Sequence, residues 1–350
     1  MPWARERVAV AAGVEETCRE DILDVLRCRN SVMEALRESG YEPVTIDIKR
    51  RDLLDTRNLA SRILEGRFSC VFNLFEGFSD AAFLESRFAR LLESIGAPFT
   101  GNRASALTMC LDKDAARKTL GMAGLPVPPG ACIRAASDFP EAEGLSFPLF
   151  VKPRCEDSSV GVDGSSVVRK KGHLEKVLHE KLEEFPDGLV VEEYLPGREF
   201  NAGCMGFEPF EFLALSAIEY KPERGTSAFL GYDSKWSPDS VDYREIESTV
   251  EPDAPSECRR SIESLCRKAG TVLGCEGYFR VDFRERDGRL FILEVNPNPD
   301  INTDSGFARQ CLAAGYGYVE MVARLVGLAL ERGGRHVQKD HAGAGKVTVP

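Results

Sequence analysis

The side chains best suited to chemistry gather between Gly277 and Asp300, in the stretch GYFRVDFRERDGRLFILEVNPNPD. Two β-rich runs, Tyr278 to Arg284 and Leu290 to Val295, flank Asp287-Gly288, the pattern of a hairpin. Strand side chains alternate faces, so Arg280 and Asp282 share one face, and Ile292, Glu294 and Asn296 share one. An odd loop, Arg286-Asp287-Gly288, brings these two sets together; a regular two-residue turn sets them apart, and a bulge changes the parity. Phe279, Val281, Phe283, Phe291, Leu293 and Val295 are then expected to cover the opposite face. Asp282, Glu294 and Asn296 are hard oxygen donors of the kind Mg²⁺ takes beside phosphates. Arg280 next to them suits phosphate or developing negative charge. A surface hairpin with solvated acids is the plain alternative, but Glu294 lies in an otherwise apolar run, FILEVN, where an unpaired charge is costly.

Other segments offer the remaining chemistry of an anion site. Lys113 stands at the start of a helix expected over Asp112 to Met122, where a nearby anion offsets the unfavourable helix dipole. Lys152 ends a strand, Leu149 to Lys152, that runs into a Ser/Gly loop through Ser166; Ser158 and Ser159 add hydroxyl donors, and the loop reads either as a phosphate clamp or as a connector. The strand LVVEEY, Leu189 to Tyr194, supplies Glu192 and Glu193, and Glu199 follows; a carboxylate suits ribose hydroxyls, and a solvated sheet edge is the alternative. Thr226 to Tyr243 is a long polar stretch holding Lys235 beside Trp236, a lid candidate or a surface loop.

The elements that must position these groups alternate. Arg7 to Ala12, Val44 to Ile48 and Ser69 to Leu74 read as strands, and Thr17 to Ser39 and Phe83 to Ile95 as helices, a β-α-β opening that predicts an α/β unit with a parallel sheet. Its ligands are expected at the C-terminal strand ends, near Gly13 to Thr17 and Phe75 to Phe78. No dinucleotide fingerprint follows the first strand and no P-loop occurs, so any nucleotide is held another way. Tyr316 to Leu330 reads as an amphipathic helix, and 331–350 as a disordered tail.

The chain has 350 residues, 43% hydrophobic and 29% charged, enough for two or three domains. With 45 basic against 56 acidic residues its formal charge is −11, which argues against a general nucleic-acid binder. No stretch is long and apolar enough for a membrane span, and the start lacks a signal-peptide layout, so the expectation is a cytoplasmic protein. The 11 cysteines are scattered without a C-x-x-C, which argues against both a disulfide framework and a zinc site.

In the order LDK (Leu111 to Lys113), VKPRCEDSSVG (Val151 to Gly161), EEYLPGREF (Glu192 to Phe200), YDSKW (Tyr232 to Trp236), RVDF (Arg280 to Phe283) and LEVNPNPD (Leu293 to Asp300), the chain resembles the ATP-grasp superfamily and, within it, the D-alanine–D-alanine ligase family. The resemblance implies an α/β protein of ATP-grasp architecture: an N-terminal parallel α/β domain over 1–100, a central subdomain over 101–188 and a C-terminal subdomain over 189–330 carrying the metal site. It implies ATP gripped between the latter two, with Lys113 and Lys152 on its phosphates, Ser158 and Ser159 in the loop closing over them, Glu192, Glu193 and Leu195 at the adenine hinge, Glu199 on the ribose and Lys235 at the γ-phosphate. Asp282, Glu294 and Asn296 match ligands of two Mg²⁺ ions, for which Mn²⁺ could substitute, and Arg280 faces the transferred phosphate. Arg280, Lys235 and Ser159 are thus the catalytic candidates. The implied reaction is amide formation between two amino acids through an acyl phosphate, in peptidoglycan biosynthesis, by a homodimer. The same mechanism with other substrates, or a silent nucleotide-binding protein, are the alternatives.

The departures from the family pattern fall on the amino-acid pockets. Where the family has G-G-x-S-x-E-R, this chain reads AGVEETCRE, so Glu15, Glu16 or Glu20 must stand in for the glutamate that holds an amino group. The family's His-Gly appears as Glu76-Gly77, its Pro-Gly as Pro299-Asp300, and Ser305 is followed by Gly306-Phe307. Glu16, Glu76, Asp300 and Ser305 are the substrate candidates.

Overall fold

The computed structural model describes residues 5–15, 20–221 and 228–343. The chain opens with β1 (Arg7–Gly13), α1 (Glu20–Glu38), β2 (Glu42–Ile48), α2 (Arg50–Leu54), α3 (Thr56–Glu65), β3 (Cys70–Asn73) and α4 (Leu84–Ser94). The three strands form a parallel sheet of order β2-β1-β3. Val8 to Ala12 are fully buried, as expected of a central strand covered by helices on both faces.

Next come α5 (Ala104–Leu111), α6 (Lys113–Met122), β4 (Gly130–Ile133), β5 (Leu149–Pro153), β6 (Val167–Val168), α7 (Lys171–Glu184) and β7 (Leu189–Glu193), whose strands make an antiparallel sheet of order β4-β7-β5-β6. The rest is β8 (Glu199–Gly206), β9 (Glu211–Glu219), α8 (Tyr232–Trp236), α9 (Val241–Glu245), β10 (Glu247–Val250), α10 (Ser256–Leu273), β11 (Gly277–Arg286), β12 (Arg289–Asn296), α11 (Gly306–Ala313) and α12 (Tyr318–Gly343), with the sheet order β10-β9-β8-β11-β12. The parallel opening sheet is as expected, and the two sheets that follow it are antiparallel.

The back of the last sheet is sealed by α10. Its Ile262, Cys266, Ala269 and Leu273 recur at helical spacing and pack with Phe279, Val281 and Phe283, all fully buried. Gly270 permits this approach, because a Cβ there would stand 2.3 Å from the Phe279 ring.

Two features tie the first unit to the last. α12 joins α1 and β3 in one core through Met321, Val322, Leu325 and Val326. Asn102, 1% exposed, donates to the carbonyls of Tyr278 (2.7 Å) and Pro297 (2.5 Å) and accepts from the Glu276 N–H (2.6 Å). One buried amide thereby holds both strands of the hairpin against the N-terminal unit.

Several expectations are corrected. Of the tail expected over 331–350, the part to Gly343 is helical and 344–350 lies outside the described residues; the reason lies in Arg332, whose buried guanidinium donates to the Gly101 carbonyl (2.7 Å) and to that of Phe99, anchoring the helix past residue 330. The stretch from 226 to 243 is not a plain loop over its described part, since α8 and α9 form there, the latter capped by the Ser240 hydroxyl. No single helix among the described residues is long and apolar enough to cross a membrane. The ten described cysteines are free, eight of them buried.

Candidate active site

Strand pairing brings the hairpin's functional side chains together by a different route from the odd loop expected. The turn is the two-residue Asp287-Gly288, both with positive φ (53° and 74°), closing on the Arg286–Arg289 pair. That turn alone would set the two groups on opposite faces. A bulge at Leu293 restores them, so Arg280 pairs with Asn296 and Asp282 with Glu294. The bulge also corrects the apolar assignment: Ile292 pairs with Phe283 and enters the core, whereas Phe291 pairs with Arg284 and lies under the Arg286 guanidinium, 5.2 Å from its ring centre. Leu293 lines the cavity.

The hairpin face forms the floor of a cavity of about 850 Å³, bounded by both antiparallel sheets and by the C-terminal ends of β1 and β3, where Gly13, Glu15, Glu76 and Phe78 line it. Glu294 is the electrostatic centre. Burial pushes its carboxyl up, but Lys113, Lys152, Lys235 and Arg280 together hold it down to about 2. Four cations from four separate segments thus converge on one carboxylate. Arg280 forks onto Asp282 through Nε–Oδ1 (2.7 Å) and Nη2–Oδ2 (2.9 Å), and Asn201 Nδ2 donates to the same carboxylate (2.7 Å). The Asn296 carboxamide oxygen accepts from the Asn298 N–H (2.9 Å), which fixes its orientation.

Lys152 and Glu192, 9% and 4% exposed, form an ion pair at 2.8 Å. Burial lowers the lysine's proton affinity, yet Glu192 and Glu294 raise it above the ordinary value, so it stays charged. Lys113 begins α6, which Asp112 caps; Asp112 is itself gripped by Arg154 (2.9 and 2.7 Å). Lys113 Nζ reaches the Glu156 carbonyl and pairs with Asp157 at 3.9 Å.

At the other end, Phe150, Tyr194 and Phe229 form an aromatic cluster (centroids 6.3 and 5.4 Å apart), with buried Leu195 beside it. Sequence reasoning passed over Phe150, although strand alternation puts it on the same face as Lys152, and that signal was readable. Glu199 accepts from the Tyr220 hydroxyl (2.6 Å) and lies 3.6 Å from Arg284; burial still leaves its carboxyl raised. Arg284, also passed over, sits between the Tyr194 and Tyr220 rings. The Glu193 side chain is engaged by Arg286 (2.6 Å) and the Ser146 N–H (3.0 Å), and its backbone N–H donates to the Pro129 carbonyl (2.9 Å).

The α8 segment is seated on the Ser/Gly loop. Trp236 Nε1 donates to the Ser158 carbonyl (3.3 Å), Ser159 Oγ to the Leu230 carbonyl (3.2 Å), and the Tyr232 N–H to Val162 (3.2 Å). Ser158 and Ser159 both hold positive φ (53° and 62°), a left-handed pair that costs serine energy. Lys235 of α8 lines the cavity, where burial and Arg280 lower its proton affinity against the pull of Glu294, Asp282 and Glu199.

The remaining wall is acidic. Glu76 faces the open cavity, and enclosure together with Asp300, Glu85, Asp157 and Asp24 pushes its carboxyl well up. Asp300 is exposed into the cavity, its carboxyl raised by the protein crowding it and by Asp24 and Asp304, and it accepts from the Asn302 N–H (2.8 Å). Ser305 caps α11 by accepting from the Ala308 N–H (3.1 Å), leaving its own proton to donate. Glu16 lies outside the described residues. Its neighbour Glu15 lines the cavity, and its carboxylate accepts from the Ser79 N–H (2.9 Å) and Arg50 (3.2 Å).

A family profile described as the D-ala D-ala ligase C-terminus matches residues 120–327. A D-alanine–D-alanine ligase of Desulforudis audaxviator is 30% identical over 311 residues, covering 88% of this chain and 94% of that protein. One from Gluconobacter oxydans is 32% identical over 306 residues, covering 86% and 93%. Among solved structures, the D-alanine–D-alanine ligase of Bacillus anthracis complexed with ATP superposes with a TM-score of 0.76 at 21% identity, covering 95% of this chain and 99% of that one.

Proposed function

Because the chain belongs to the D-alanine–D-alanine ligase family, we propose that its cavity joins two amino acids at the expense of ATP, with the residue roles that follow. The observation that carries this reading is the convergence of Lys113, Lys152, Lys235 and Arg280 on Glu294 over a paired-strand floor. A polyphosphate is a ligand whose charge suits four cations set around one cavity, three of which also pair with Glu192, Asp157 or Asp282.

Lys113 and Lys152 hold the phosphates, and Phe150, Phe229 and Leu293 sandwich the base, with the backbone at Glu193 and Leu195 as its edge contact and Glu199 near the ribose. Asp282, Glu294 and Asn296 fit Mg²⁺: they are hard oxygen donors on one face, Glu294 stays ionised, and the Asp282 oxygens keep lone pairs beyond those used by Arg280 and Asn201. When bound, the metal supplies charge neutralisation at the phosphates. Lys235 meets the γ-phosphate from the lid. A carboxylate oxygen of the first amino acid attacks the γ-phosphorus, the bond to the ADP oxygen breaks, and an acyl phosphate forms. The amine of the second attacks the acyl carbon and gives up a proton, the bond to phosphate breaks, and an amide remains. Arg280 and the N–H at Asp300 stabilise the oxyanion of the tetrahedral intermediate, while the Ser158–Ser159 loop and the lid exclude water that would hydrolyse the acyl phosphate. A cytoplasmic homodimer is part of this proposal.

The test is phosphate release from Mg-ATP with single amino acids and pairs, D-alanine first because the relatives are D-alanine–D-alanine ligases, beside a Glu294→Gln control. Release with amide product, lost in the control by about two orders of magnitude or more, is expected. Tight ATP binding with no release for any amino acid would overturn the ligase reading.

A further inference from the structure

The segment Pro297-Asn298-Pro299 joins Asn296, at the end of β12, to Asp300, and it lies outside every helix and strand. It therefore has to hold a metal-donor carboxamide at one end and the N–H proposed for the oxyanion at the other without a ladder of its own. Neither proline has an N–H to donate. Two amides hold the segment instead. Asn102 donates to the Pro297 carbonyl (2.5 Å). Asn298 makes three bonds: its N–H donates to Asn296 Oδ1 (2.9 Å), its Nδ2 donates to Glu85 Oε1 (2.8 Å), and its Oδ1 accepts from the Tyr278 hydroxyl (2.6 Å). Both partners of the side chain are fixed in place. Tyr278 of β11 is 1% exposed, and Glu85, in the first turn of α4 in the N-terminal unit, is 8% exposed.

A buried tyrosine hydroxyl needs a hydrogen-bond partner, and supplying one is the plain structural role for Asn298. That role calls for a single bond. The second side-chain bond crosses to α4, and the backbone bond falls on Asn296. A carboxamide oxygen has two lone pairs: the Asn298 N–H takes one, and the other remains for a metal. The direction of the free lone pair is thus set by where the backbone at 298 stands, and that backbone is tethered by its own side chain to two separate elements. Resting on the ligase reading above, we propose that Asn298 is a positioning residue for the metal site, its carboxamide spanning Tyr278 and Glu85 so that the Asn296 oxygen is aimed into the cavity before the metal and nucleotide arrive. Groups behind a metal ligand act in this way, by fixing the ligand's orientation in advance. Asn298 itself touches neither phosphate nor metal in this role.

The test reads how much Mg²⁺ tightens nucleotide binding. A non-hydrolysable ATP analogue is titrated by calorimetry into the full chain, once with excess Mg²⁺ and once with EDTA, and the ratio of the two affinities measures the contribution of the metal. In Asn298→Ala that ratio should fall about tenfold or more, the scale on which groups behind a metal ligand act, while the affinity in EDTA stays within about threefold of the unaltered chain. Tyr278→Phe keeps the ring in the core and removes only the hydroxyl. It should lower the same ratio by about two- to tenfold, the worth of one hydrogen bond, and adding it to Asn298→Ala should change little more, because both act through one carboxamide. Tyr278→Phe also decides the question if Asn298→Ala does not fold. An unchanged ratio in the folded variants, or an equal loss of affinity with and without metal, would overturn the proposal and leave Asn298 a structural partner of Tyr278. A ratio near unity in the unaltered chain is a different failure: it would remove the metal site of the ligase reading, and the proposal with it.

Discussion

Replacing Lys152 with methionine tests both what holds the cleft together and what it binds. The lysine and Glu192 are more than nine-tenths buried and meet at 2.8 Å, so removing the cation strands a carboxylate in the protein interior. Breaking such a pair from one side costs about 3–5 kcal/mol. Glu294 also loses one of its four cations. The expected result by scanning calorimetry is a fall in melting temperature of roughly 5–10 °C. The double variant Lys152→Met/Glu192→Gln removes both charges, and most of that loss should return, because a neutral pair of similar shape leaves little unsatisfied. ATP affinity should behave differently. A charge-assisted contact to phosphate is worth about 1.5–3 kcal/mol, so both variants should bind ATP roughly 10- to 150-fold more weakly. If the double variant is as unstable as the single one, the ion pair is not what the buried lysine contributes. If it recovers ATP binding as well as stability, Lys152 does not touch the phosphates and its assignment fails.

Asp112→Ala removes the α6 cap and one side of the Arg154 fork, and should lower stability by about 1–3 kcal/mol in denaturant titration. Burial opposes ionisation of Asp112, but Arg154 and the Ala115 N–H outweigh it, so its folded value is depressed. Its contribution is therefore present above the unfolded carboxyl value near about 4 and lost as pH falls below it; the variant should show a flatter acid limb, and an unchanged limb would contradict the pairing. For Glu85 the sign is opposite. Burial and Asp157 raise it to about 8, so the folded state prefers the proton and stability should decline as pH rises from about 4.5 toward 8. In the ligand-free protein Glu85→Gln should remove that decline, a gain on the order of a few kcal/mol at pH 8, visible as a melting temperature that no longer drops between pH 5 and 8.

Sequence and structure divide the account along physical lines. Alternation and turn chemistry made the hairpin, the parallel opening unit and the Lys152 strand readable, because residue period and local propensity are properties of neighbouring residues. The same locality set the limit. Whether Arg280 and Asp282 face Glu294 and Asn296 depended on one bulge at Leu293, which cancels the parity of a two-residue turn and carries no distinct signal in FILEVN. It also moved Ile292 into the core and Phe291 out of it. The length of α12 was hidden because Arg332 is held by carbonyls at Phe99 and Gly101, more than 200 residues earlier in the chain. Asn102, which pins the hairpin to the N-terminal unit, reads in sequence as an ordinary loop amide. Residue identity alone determined that this chain carries four cations and three hard oxygen donors suited to phosphate and metal. Only the tertiary structure decided which carboxylates those cations neutralise, because pairing between Lys152 and Glu192 or Lys113 and Asp157 is set by the meeting of distant segments.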